Sequence, residues 1–188
     1  TPLLHRTAGS VSLLAVATMA PMPEKTPFLA PTAQARQMAQ GLIAQADHAA
    51  LASLSPDGMQ PSVSRIALAQ GDGGVVLSLL SDLAPHKAAL RAHPACALLL
   101  GQPSGTGDPL AEPRLTLHAT AQILARPSPA HDAARRRFLA QRPKAALYAD
   151  FGDFHFVVFT ITDALLNAGF GKAYKLTQTD VQPPTPSP

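Results

Sequence analysis

Two stretches of the chain place positive side chains where the element that carries them does not favour a cation. In the first, the apolar run Val75-Val76-Leu77-Ser78-Leu79-Leu80 reads as a buried strand. It passes through Ser81-Asp82-Leu83-Ala84 into Pro85-His86-Lys87-Ala88-Ala89-Leu90-Arg91. Pro85 suits the first position of a helix, and the Ala/Leu run behind it is helix-forming. His86 and Lys87 then fall in the first turn, where the helix dipole prefers anions. In the second stretch, Arg65 lies inside the apolar strand Ser64-Arg65-Ile66-Ala67-Leu68, sixteen residues before Ser81. A guanidinium in such a strand also needs an anion. A phosphate would answer both demands, held by the free N–H groups of the helix N-terminus and by the side-chain cations. A second account needs no ligand: His86 and Lys87 are solvated on an exposed first turn, and Arg65 pairs with Asp72 or Asp82. Helix-dipole effects of about 0.3–1 kcal/mol do not decide between the two.

Other residues with chemical potential are more scattered. His118 and His155 each lie in a strand and could donate a proton near neutral pH, although lone strand histidines are mostly structural or surface residues. Asp150 and Asp153 could form an acid/base pair, or could simply turn the chain between a helix and a strand. The run Arg135-Arg136-Arg137, with Arg142 and Lys144, reads as a solvated helix face. With aromatics at 5%, platforms for base stacking are scarce, and no nucleic-acid partner is expected. There is no HExxH, no CxxCH and no nucleophile elbow, so zinc, covalent haem and serine-hydrolase chemistry are not indicated. The single cysteine, Cys96, sits in an apolar run and reads as a buried small hydrophobe. It fits a reducing compartment, and a cytoplasmic location is expected.

The elements that must carry these residues follow from punctuation and periodicity. A length of 188 residues suits one domain, and 46% hydrophobic with 14% charged residues is the composition of a folded globule. The net charge of +3 favours an anionic ligand without demanding nucleic acid. No segment reaches the length of a membrane span. Residues 1–31 read as a poorly ordered leader, with a faint resemblance to an export signal, followed by a proline-rich linker. Thr32 caps a helix over residues 33–44, and Ser55-Pro56-Asp57-Gly58 turns a hairpin between residues 49–54 and 60–69. Strands are predicted over 75–80, 95–101, 114–124 and 154–161, with a short one at 164–167. Helices are predicted over 85–92 and 129–142, with a helical turn at 143–148. Residues 102–113 read as a surface loop, and the chain from Thr177 onward as a Pro/Thr/Ser tail. Short strands with hairpin turns and a few helices predict a mainly β, α+β fold: a small barrel decorated by helices.

An arginine on one strand, Ser81 sixteen residues on, and His86-Lys87 opening a helix together resemble the flavin-phosphate site of the pyridoxamine 5'-phosphate oxidase-like family, the FMN-binding split barrels. Pro113-Arg114-Leu115-Thr116-Leu117, Ala149-Asp150-Phe151-Gly152-Asp153-Phe154 and Asn167-Ala168-Gly169-Phe170-Gly171 are similar to its haem-utilisation or flavin-nucleotide-binding branch. The likeness spans residues 32–176. It implies a homodimer with FMN at the subunit interface. Arg65 and Lys87 would clamp the phosphate, Ser81 would donate its hydroxyl, and His86 would stand where the oxidase has an arginine. The backbone of Ile66 and Ala67 would run under the isoalloxazine ring, with Leu80 beside Ser81 in the pocket. The expected activity is an FMN-dependent oxidoreductase of unassigned substrate. The alternative is a non-catalytic flavin or haem carrier linked to haem-iron utilisation. The chain departs from the oxidase at Ala69 and Gln70, where the oxidase has a lysine, and it has no tryptophan. These differences argue against pyridoxamine phosphate as substrate. The residues after Thr177 hold no histidine of the kind that haem-degrading relatives use for iron, which makes haem the less expected cargo.

Overall fold

The computed structural model describes residues 26–182. The first helix, α1 (Ala33–Gln45), begins where Thr32 Oγ1 accepts the Ala35 amide at 3.1 Å. Ala35, Ala39 and Ile43 recur at helical spacing and are buried, so one stripe of α1 faces the core. The hairpin β1 (His48–Leu54) and β2 (Pro61–Ala67) follows, and the short β3 (Ala69–Gln70) continues β2 almost without interruption. Next come β4 (Val76–Ser81), α2 (Pro85–Ala92), β5 (Ala95–Leu100), β6 (Arg114–Ile123) and α3 (Pro129–Gln141). A 3-10 turn over Pro143–Leu147 leads to β7 (Phe154–Asn167), β8 (Ala173–Thr177) and α4 (Gln178–Val181).

All strand pairs are antiparallel, in the order β2-β1-β5-β6-β7-β4-β3, with β8 on β7. Because β2 and β3 are nearly one segment, the two ends of this order meet. Residues 61–67 pair with β1, and residues 69–70 cross to β4. The crossing is pinned where Ser78 Oγ donates to the Ala67 carbonyl at 2.7 Å. The 14-residue β7 serves two partners on one edge: its first half pairs with β4 and its second half with β8. The result is a split barrel of the α+β class, as the sequence implied.

Two apolar clusters fill it. The barrel interior holds Leu51, Ile66, Leu80, Leu98, Leu117 and Phe159 with their neighbours, closed at one side by the buried stripe of α1. The second cluster lies outside the barrel, where Leu77, Leu79 and Phe156 of β4 and β7 meet Ala134 and Phe138 of α3. Phe138 stacks edge-on to Phe156 with ring centroids 5.6 Å apart. The alternation along β4 therefore faces two cores, which is why that strand is buried from Val76 to Leu80.

Three details differ from the sequence reading. The strands expected at 154–161 and 164–167 are one continuous β7, because the polar pair Thr162-Asp163 is taken up by a β-bulge opposite His118 and Ala119 instead of breaking the strand. A further strand, β8, follows the Gly169–Gly171 turn. Residues 178–181, expected within a tail, form α4. It is closed by a Thr177/Asp180 capping box and fastened to α1, where Arg36 Nε donates to Asp180 at 2.5 Å. Of the expected leader and linker, residues 1–25 lie outside the described residues. Leu29 donates to the Ala173 carbonyl at 2.8 Å beside β8.

Candidate functional site

The predicted phosphate residues fall into two places. At the first, β4 delivers Ser81 to the entrance of α2, and Pro85 occupies its first turn as expected. Ala84 stands at the N-cap and offers no side-chain acceptor to the helix amides. Ser81 Oγ instead accepts from the Leu83 amide at 3.1 Å and donates to the Asp153 carboxylate at 2.6 Å. Lys87 is not solvated: it is 1% exposed, the most enclosed cation among the described residues. Its ammonium donates to Asp82 Oδ1 at 2.6 Å and to His155 Nδ1 at 2.5 Å, and lies 3.5 Å from the Asp153 carbonyl. An ammonium can only donate, so His155 Nδ1 is the unprotonated ring nitrogen here. Arg91 Nη2 also reaches Asp82, at 3.4 Å. The hydrogen bond from Lys87 holds the Asp82 carboxyl below its usual range, against a smaller opposing effect of desolvation. Arg91 and His155 border a cleft of about 530 Å³, which gives the cluster a side open to solvent.

At the second place, Arg65 projects from β2 beside Ala50 of β1. It is exposed and has no hydrogen-bond or ion-pair partner among the described residues. It lines a cavity of about 500 Å³ together with Gln45, His48, Leu99, Gly101 and Glu112. That volume lies within the range of small-ligand sites. The acids on this wall are engaged elsewhere: Asp47 hydrogen-bonds His48, and Glu112 accepts from the Ser104 hydroxyl at 2.7 Å. Gly101 shapes the rim, with φ +91° and room for no side chain, since a Cβ there would lie 2.5 Å from the Pro113 carbonyl oxygen.

Neither ligand-free pairing considered for Arg65 forms. Asp72 pairs with Arg137 at 2.8 Å and Asp82 with Lys87. Ile66 and Leu80 are buried in the barrel interior, and Ala67 is exposed with its carbonyl taken by Ser78. His86 is half-buried, and that burial lowers its pKa, which weakens it as a cation. The structure thus joins Ser81 to Lys87 through Asp153, and sets Arg65 on a cavity wall that Lys87 does not line. The sequence reading missed Asp82 and His155 as partners of Lys87. Asp82 lies only five residues from it, whereas His155 arrives through the Leu80–His155 cross-strand pair, which no local pattern reveals. Asp150 pairs with Arg135 at 2.6 Å, so it forms no acid/base couple with Asp153.

His118, the other histidine that the sequence analysis singled out in a strand, is on the outer face. Register puts Arg65, Ala50, Leu99 and Thr116 in one row, and Val63, Ala52, Ala97 and His118 in the next. His118 Nδ1 donates to Asp163 at 2.7 Å, beside a β-bulge.

Residues 17–167 match the family described as pyridoxamine 5'-phosphate oxidase. The chain belongs to that family. Within it, the chain is 38% identical over 98 residues to the chloroplastic heme oxygenase HOZ of Arabidopsis thaliana, covering 52% of this chain and 28% of that protein. The match therefore spans well under half of that relative. A heme-binding protein from Mycobacterium smegmatis is 27% identical, with a TM-score of 0.70 over 78% of this chain and 59% of that one. ChuZ from Campylobacter jejuni shares the fold at 18% identity, with a TM-score of 0.71 over 80% of this chain and 62% of that one.

Proposed function

We propose that the protein binds FMN in the cavity beside Arg65 and works as a flavin-dependent oxidoreductase on a small-molecule substrate. The observation that carries this reading is the free guanidinium of Arg65 on the wall of a cavity of about 500 Å³. An exposed arginine with unspent donors in a concave site matches a phosphate bidentately. In this reading the β2 backbone at Ile66 and Ala67 borders the flavin. Ser81, His86 and Lys87 stand at the separate α2 entrance, and Lys87 reaches the phosphate only if the ligand extends beyond the cavity that Arg65 lines. Bound FMN would supply hydride or electron transfer. The chain's own work is then to anchor the phosphate, orient the ring and keep water from it. The small and apolar outer face formed by Val63, Ala52, Ala97 and Leu99 suits a second copy of the chain, and a homodimer is part of this reading. The test is an FMN titration of the wild-type protein and of Arg65→Ala. The variant should lose affinity by about ten- to hundredfold, the range for a charged hydrogen bond. Equal affinity would remove Arg65 from the site.

A second reading, haem binding without turnover, is favoured by the name of one relative, the heme-binding protein from Mycobacterium smegmatis. Titration with ferric haem separates the two: a sharp Soret band at one equivalent supports haem, and its absence in protein that retains FMN supports flavin.

A further inference from the structure

We infer that the cleft between α2 and the end of β6 is a second ligand site, built for a carboxylate carried on an apolar body. Neither Arg65 nor Lys87 lines it, and the inference does not rest on the flavin reading. The cleft follows from a mismatch in strand length. The last β6–β7 pair is Ile123–Val157, and β7 extends past it through Phe156 and His155 to Phe154. Side chains alternate along this extension: Phe156 enters the outer cluster, and His155 follows Val157 onto the barrel side. With β6 ended, His155 meets an opening of about 530 Å³ instead of a packed interior. α2 borders the same opening through Leu90 and Arg91, and the chain after β6 borders it through Arg126.

His155 faces the cleft as a hydrogen-bond donor. Its Nδ1 accepts from the Lys87 ammonium at 2.5 Å, so the ring carries its proton on Nε2. Arg126 stands at the rim, held by the Phe151 and Asp150 carbonyls at 3.1 and 3.0 Å. Arg91 makes only a 3.4 Å contact to Asp82 and keeps most of its side chain in solvent. Among the described residues no acid lines the cleft. The nearby carboxylates of Asp82, Asp150 and Asp153 are engaged by Lys87, Arg135 and Ser81. Two guanidiniums and an imidazole N–H with no carboxylate to receive them select an anion. The floor is of the opposite character: Leu90, Ala121 and Ile123 belong to the barrel core or pack against it. A bare phosphate would leave that floor against water, and an alcohol would leave the arginines without a counter-ion. A carboxylate on an apolar body satisfies both, and the volume is that of a small-ligand site.

The experiment follows the backbone amides of the full chain by NMR during titration with octanoate, octanol and inorganic phosphate. Octanoate should give saturable shifts at residues 90–94 and 121–126, and bind there about tenfold more tightly than octanol or phosphate. Arg91→Gln should weaken octanoate by about tenfold, as expected for one charged hydrogen bond, and leave octanol unchanged. His155→Asn keeps an acceptor for Lys87 but takes the donor out of the cleft, and should have the same effect. Absence of saturable shifts, octanol or phosphate binding as tightly as octanoate, or a folded variant that binds octanoate like the wild type overturns the inference. Should His155→Asn fail to fold, the imidazole nitrogens of the wild-type protein decide. Nε2 of His155 must carry the proton, and its resonance must move on saturation with octanoate. A proton on Nδ1, or an unmoved Nε2, contradicts the site.

Discussion

Arg65 and Lys87 carry the same charge and the same sequence-based expectation, yet they occupy opposite electrostatic situations. Arg65 is exposed, with its donors free, and Lys87 is enclosed, with its donors spent. The sequence could tell that each sits where its element disfavours a cation, because strand and helix patterns fix where their backbones lie. It could not tell which would find a partner. Asp82 answers Lys87 across a single turn, and His155 comes from a strand 68 positions away. The sequence reads Cys96 as a buried small hydrophobe, and the structure leaves it half-buried against the core. Burial pushes its thiol up to about 11, so at pH 8 almost no thiolate is present. A thiol reagent at pH 8 should therefore modify the half-buried Cys96 much more slowly than a free thiol, with the rate rising in denaturant. Modification within seconds in buffer would contradict the burial.

Single elements were the most readable part of the chain. α2 spans the predicted residues 85–92, and α1 starts at the predicted Thr32 cap, since Pro, Ser/Thr and Gly/Pro punctuation act locally. The β2–β3 crossing and the continuous β7 were not readable, because both are set by which strand lies alongside. α3 is a separable test of packing. It rests on the outer cluster through Phe138, while the Arg65 cavity lies among α1, β1, β2 and the loop after β5. Phe138→Ala should cost about 3–5 kcal/mol in denaturant melts. Amide exchange should accelerate first in α3 and the turn after it. FMN affinity, measured well below the transition, should be unchanged. A loss of binding equal to that of Arg65→Ala would mean that the two regions are not independent.

The assembled barrel is held in part by pairs that depend on ionised carboxylates. Hydrogen bonds from Lys87, Arg135 and Arg36 hold Asp82, Asp150 and Asp180 below the ordinary 3.8. A carboxyl whose folded pKa is depressed stabilises the fold above its unfolded pKa. That contribution fades as pH falls through the folded value. The melting temperature should therefore fall most steeply below about pH 4, and Asp150→Asn should remove part of that fall. A melting temperature that holds steady to about pH 2.5 would show that these pairs contribute nothing to stability. Fold class was legible at this level because strand count, turn chemistry and the Ala-Asp-Phe-Gly-Asp-Phe and Asn-Ala-Gly-Phe-Gly runs agree, and membership of the pyridoxamine 5'-phosphate oxidase family bears this out. The bound cofactor is a different matter, because one fold hosts several chemistries and the side chains of the site decide among them.

The measurement to make is gel filtration of the wild-type protein and of Arg65→Ala after incubation with FMN, with absorbance read across the protein peak. The account predicts flavin bands that co-elute with a wild-type dimer and are depleted from a variant of the same size and melting temperature. A wild-type peak without flavin at saturating FMN, or an Arg65→Ala peak that carries as much flavin as the wild type, would contradict it.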